Sequence, residues 1–201
     1  AYKAWGVYFG NGYSGAYDHG NEYSVRLVRS GQLNKDHSVE EEIKIGKYID
    51  YGNGTITATE SGLLWKRCPE GFFGKNCEKG RVKKYIWVDA VKRFKNVSYA
   101  NYSDWRMPTI DELKTLVYCS NGLKNKKNGA CNDGSTEPTI NQQAFPNTKY
   151  GRWSRYWSGS PYAYSSYNAW YVVFGNGYSG YGNLANDRYS YFAVRLVRGG
   201  Q

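Results

Sequence analysis

The chain reads as an α+β protein, and three observations lead there. Short strand-like segments recur along it, two stretches in its middle carry helical periodicity, and long connections rich in Gly, Asn, Ser and Tyr separate them. At 201 residues it is long enough for one large domain, or one domain plus a fragment, with a real core.

Taken in order, the first element belongs to a repeat. AWGVYFGNGYSG at residues 4–15 returns as AWYVVFGNGYSG at 169–180, and VRLVRSGQ at 25–32 returns as VRLVRGGQ at 194–201. The segments between the matching blocks differ in length and content, so the repeated unit reads as strand, variable loop, strand. Only this closing unit is duplicated. That predicts a fragment of a preceding tandem module at 1–32, a linker at 33–48 and a domain over 49–201. Alternation along a strand places Trp5, Val7 and Phe9 on one face, as it does Trp170, Val172 and Phe174. The positions that differ, Gly6 against Tyr171 and Tyr8 against Val173, fall on the other face. The expectation is a fixed inward face and a changeable outward one, the way binding surfaces vary on a rigid scaffold. Drift after duplication explains the same pattern. Residues 4–9 and 25–29 are expected to pair antiparallel, copying 169–174 with 194–198.

Strands follow at Gly54–Thr59 and Gly62–Lys66, the first entered through a tight GNGT turn at 52–55. In KKYIWVDAVKRFKNV, Trp87, Ala90, Val91 and Phe94 recur at helical spacing, with Lys and Arg outside. Trp105 reads as a core aromatic, Arg106 as the partner of a carboxylate that holds the corner, and Pro108 as the residue that aims the chain into a helix. Within MPTIDELKTLVY, Thr109 and Glu112 form a capping box, after which Ile110, Leu113, Leu116 and Val117 line one face. Strands at Trp153–Ser158, Trp170–Phe174 and Val194–Arg198 complete the chain.

Composition narrows the function. There are 21 Tyr and 24 Gly, and Tyr, Gly, Ser and Asn concentrate after residue 150, the mixture that binding loops favour. An aromatic-rich β protein with many tight turns has the same composition. The net charge of +10 favours anionic partners. The densest basic cluster, Lys124-Asn125-Lys126-Lys127, is short, which argues against nucleic acid. No apolar run of about 18 residues offers a membrane span, and no signal peptide is visible. Four cysteines permit three connectivities. Loop closure favours Cys68 with Cys77 and Cys119 with Cys131, each pair within one short polar loop, and disulfides imply an oxidising compartment. The spacing is not that of a zinc knuckle, and no metal site or cofactor is implied.

Three motifs carry a resemblance. IDYGNGTITATESGLLWKRC (49–68), DWRMPTIDEL (104–113) and the closing block from FPNT at 145 through YWSGSPYAY and AWYVVF to VRLVRGGQ resemble, in the same order, the C-terminal domain family of the Legionella collagen-like protein, the Lcl C-terminal domain. Asn53 stands where that family often has Asp. The resemblance implies a C-type-lectin-like fold, related to that of formylglycine-generating enzymes, with two helices packed on short antiparallel sheets and a loop-rich ligand face near the C-terminus. It also implies an extracellular or bacterial cell-surface adhesion module. Some related lectin-fold proteins have C-terminal regions varied by diversity-generating retroelements, and segment 156–191 has that character.

Enzyme readings lack parts. His19 and His37 fall in the fragment and linker, leaving a nucleophilic triad without a base, and no cysteine follows Cys131. The Glu-Pro-Asn and Trp-Asn-Asp motifs of calcium-dependent sugar sites are absent. The expected function is therefore non-catalytic binding of a host or bacterial surface glycan or protein, anionic in character. Its face would include Tyr162, Tyr164, Tyr167, Tyr171, Tyr178 and Tyr181. Asn183, Asn186, Asp187, Arg188, Tyr189 and Tyr191 would complete it, with Arg188 placed to fork onto an anionic group. The alternative is a structural spacer in a tandem-repeat fibre, its tyrosines packed on a neighbouring module or a second copy.

Overall fold

The structure is a computed structural model. It describes the backbone of residues 3–8 and 13–18, and residues 42–124, 129–151, 153–183 and 190–199. The chain divides into two compact units, Ala1–Val39 and Glu40–Gln201.

In the first unit, β1 (Lys3–Tyr8) and β2 (Tyr13–Asp18) form an antiparallel hairpin in which Trp5 faces Ala16 and Val7 faces Ser14. Strand 3–8 pairs with 13–18, and the expected pairing of 4–9 with 25–29 falls outside the described residues. Residues 25–29, Phe9, His19 and His37 lie outside the described residues, as do the side chains of both strands.

The second unit is mostly β with two small helices. Its first strands are β3 (Ile43–Ile45), β4 (Tyr48–Asp50), β5 (Thr55–Ala58) and β6 (Leu63–Lys66), a continuous antiparallel meander. The turn into β5 is tied by side chains: Asp50 Oδ1 accepts from the Gly52 N–H, and Asn53 Oδ1 from the Thr55 N–H and hydroxyl. Gly54 sits at φ +85°, and a Cβ there would strike the Tyr99 hydroxyl, so this turn demands glycine. After β7 (Phe72–Phe73), β8 (Lys79–Gly80) and β9 (Lys84–Tyr85) comes α1 (Trp87–Arg93), which turns Ala90 and the following Phe94 inward. Val91, expected on the same face, is exposed. The hairpin of β10 (Val97–Tyr99) and β11 (Tyr102–Trp105) leads to α2 (Ile110–Lys114), whose capping box is complete. Leu113, Leu116 and Val117 are buried beneath it, with Ile110 packed alongside.

The last strands are β12 (Arg155–Pro161), β13 (Asn168–Val173), β14 (Ser179–Asn183), β15 (Phe192–Ala193) and β16 (Val197–Arg198). One five-stranded sheet runs β14-β13-β12-β15-β9 and the other β16-β6-β5-β4-β3. Residues 169–174 and 194–198 therefore do not pair with each other. β13 lies between β12 and β14, while Val197 pairs with Trp65 in the other sheet. The β13–β14 register, Trp170 opposite Tyr181 and Val172 opposite Ser179, is that of β1–β2 shifted by one repeat.

Both faces of the β12–β13 region are covered. Tyr156, Val172 and Phe174 join Trp65, Leu113 and Phe145 in one core, and Trp157, Tyr171 and Val173 join Ala90, Trp105 and Phe192 in the other. The expectation that Tyr171 and Val173 lie on a free outer face is thereby corrected. Both are buried, because α1 and the closing segment pack on that side. Disulfides join Cys68 to Cys77 and Cys119 to Cys131.

Candidate functional site

At the end of β13 remote from its turn, the cover over the sheet stops, and aromatic side chains take its place. Trp170 and Tyr181, directly opposite across β13 and β14, stand edge-on at 6.2 Å. Tyr162, on the connection from β12 to β13, stacks on Tyr181 at 4.1 Å with 15° between the ring planes and meets Trp170 edge-on at 5.1 Å. Tyr164 extends the group at 5.6 Å from Tyr162, and the Lys114 ammonium lies 5.6 Å from the centre of Trp170. The connection is shaped by its own backbone: the Tyr162 N–H donates to Asn168 O and the Ser165 N–H to Tyr162 O. Tyr164 is 88 % exposed, Tyr167 75 % and Tyr181 51 %, so the rings form a platform open to solvent. Desolvation first, then Tyr181 and Tyr164, hold the Tyr162 hydroxyl above its ordinary pKa, so it is neutral at physiological pH.

Alternation sends the next side chain of β13 the other way. Tyr171 contacts Trp157, Phe192 and Tyr178 and forms one wall of a cleft of about 390 Å³. Glu137, Arg155, Asn176 and Tyr178 share its lining, with Gly151 and Gly175 among the other residues. Burial raises the Tyr171 pKa, and the nearby Arg155 guanidinium opposes the shift without cancelling it.

The expected tyrosine face is thus divided. Tyr162, Tyr164 and Tyr181 come together, with Tyr167 on the same connection. Tyr171 and Tyr178 belong to the cleft. Asn183 closes β14 opposite Asn168, and Tyr191 is exposed just before β15. Asn186, Asp187, Arg188 and Tyr189 lie outside the described residues. Trp170, which alternation assigns to the core, and Lys114, Arg155 and Glu137, from separate segments, join these sites without a signal in the sequence. Among the described residues no three His, Cys, Asp or Glu side chains gather as a metal site, and no helix is long and apolar enough to cross a membrane.

The DWRMPT segment is a brace. Trp105 is fully buried and its Nε1–H donates to Tyr99 O at 2.8 Å. Arg106 forks onto Glu112 at 2.7 and 2.8 Å and donates to Gly199 O, while Asp104 accepts from Arg198 Nε at 2.7 Å. Middle and end of the unit are thereby tied together. In the core, Arg67 pairs with Asp50 at 3.0 Å. Arg195, wholly buried between the Phe145 and Tyr156 rings, donates to Arg67 O and Thr148 Oγ1.

These features define a disulfide-braced α+β module that displays an aromatic surface. The Lcl C-terminal domain family matches residues 54–198, and the chain belongs to that family. Membership and the two disulfides are consistent with a module of an extracellular or secreted protein. No curated protein and no solved structure matches the chain.

Proposed function

We propose that residues 49–201 form a non-catalytic adhesion module of a bacterial surface or secreted protein, with a C-type-lectin-like fold, that binds a glycan or protein through the platform of Tyr162, Tyr164, Trp170 and Tyr181. The observation that carries this reading is the solvent-open stack of Tyr162 on Tyr181 beside a half-exposed Trp170. Large aromatic rings are costly to leave wet, and their faces suit sugar rings and protein surfaces alike. Lys114 at the rim and the net charge of +10 favour an anionic partner. The two repeat copies diverge in sequence after residue 180, which suits a determinant of specificity.

A glycan array probed at low and high salt tests this with the intact chain and its Tyr162→Ala/Tyr181→Ala variant. The expected outcome is a salt-sensitive glycan signal that the variant loses while unfolding at nearly the same temperature. An unchanged signal, or a variant that no longer folds, would overturn the assignment.

The spacer reading draws on a different observation, the shared register of the β1–β2 and β13–β14 hairpins. On that reading residues 1–32 close a preceding module of a tandem array. The exposure of Tyr164 and Tyr167 favours binding.

A further inference from the structure

Arg155 differs from the other arginines that are buried or half-buried near the surface of the second unit's core. Arg67, Arg106 and Arg198 each hold a carboxylate: Asp50, Glu112 and Asp104. Arg155 has no carboxylate within 4.0 Å among the described residues. Its guanidinium is instead fixed by three rings, Trp153, Tyr171 and Phe192, at 5.2–5.3 Å. Its Nε is buried without an acceptor among the described residues. A buried donor left unpaired costs stability, so such a group calls for a partner. Arg195 also has an unpartnered Nε, but it is wholly enclosed in the core. Arg155 lines a cleft of about 390 Å³, within the size range of small-ligand sites.

The same cleft contains a second charge that has no ion-pair partner among the described residues. Glu137 lines it too, on an exposed loop, and forms no ion pair with Arg155. Its Oε1 lies 3.6 Å from where a Gly175 Cβ would stand, so the missing side chain leaves the floor beside the carboxylate open. A guanidinium favours a planar carboxylate, which it binds through two parallel hydrogen bonds. A carboxylate close by repels a dianion and favours a hydrogen-bond donor.

We infer that this cleft, on the face of β13 opposite the tyrosine platform, is a binding site for a small monocarboxylate that carries an adjacent hydroxyl or ammonium donor. The acid pairs with Arg155, the donor with Glu137, and the Tyr171 and Tyr178 rings flank the carbon frame. A sugar acid and an α-amino acid share this chemistry.

The test is an NMR titration of the 201-residue chain with D-glucuronate, glycine, acetate and sulfate in turn. It follows the Arg155 Nε–H and the amides of Gly175, Asn176 and Tyr178. Glucuronate or glycine should shift these resonances saturably, and whichever does so identifies the donor. Acetate should bind about tenfold more weakly and sulfate not at all. Arg155→Gln should abolish the shifts. Glu137→Gln, a change at an exposed side chain, should bring acetate to within about twofold of the better ligand. The Tyr162→Ala/Tyr181→Ala variant should respond like the parent, which separates this site from the platform. Absence of saturable shifts with both glucuronate and glycine, sulfate binding as tightly as either, or unchanged acetate discrimination in Glu137→Gln would overturn the inference.

Discussion

The brace around Trp105 and the platform around Tyr181 are built from similar side chains and put to opposite use. In the brace, an aromatic ring is fully enclosed and its N–H is satisfied, while Arg106, Glu112, Asp104 and Arg198 pair among themselves. In the platform, the rings find mainly one another, and Tyr164 and Tyr181 remain largely in water. A brace completes its interactions internally, whereas a platform leaves them for something else to complete. The difference separates the part of this domain that supplies stability from the part proposed to supply recognition.

The largest expected effect of breaking that contrast is at Trp105. Trp105→Ala should cost about 3–5 kcal/mol in urea unfolding, as for other buried aromatic truncations. A loss below about 1 kcal/mol would mean that the enclosure contributes little.

Glu112→Gln should follow, at about 1–3 kcal/mol near neutral pH, since Glu112 serves both Arg106 and the Thr109 N–H. Its effect should depend on pH. Burial raises the Glu112 pKa, but the Arg106 and Thr109 hydrogen bonds outweigh it and hold the carboxyl below its ordinary 4.5. A depressed acid contributes fully above its unfolded pKa and loses that contribution as pH falls through its folded value. The gap between parent and variant should therefore be constant above pH 4.5 and shrink below it. A gap that widens in acid would contradict the pairing.

The smallest effect belongs to the platform. Tyr164→Ala should change unfolding free energy by no more than about 0.5 kcal/mol, as at ordinary surface sites. A larger loss would move Tyr164 from the platform to the framework.

Local features of this contrast are legible in the sequence, and long-range ones are not. The Thr109–Glu112 box and the GNGT turn at 52–55 depend on neighbours a few residues away and are legible from spacing, while loop closure favours the two disulfides among three possible connectivities. That Arg106 pairs with a carboxylate is legible, but that the carboxylate is Glu112 comes from the structure. The pairing of Val197 with Trp65 is not legible, because alternation gives a strand's faces and not its partner. AWYVVF did contain a signal of burial on both faces: an unbroken apolar run marks a strand covered on two sides. Alternation alone places Tyr171 outside. Arg155 and Glu137 lie far apart in the chain, so only folding brings them to one cleft.

The sheet order has a mechanical consequence. β3 and β16, the first and last strands of the second unit, are the two edges of one sheet, whereas the platform strands β13 and β14 belong to the other. Tension applied across this unit would load the hydrogen bonds between β3 and β4 and those that hold β16 to β6 and to Arg106. The tyrosine stack stands on the other sheet, so a pull on this unit would strain its framework before the aromatic platform.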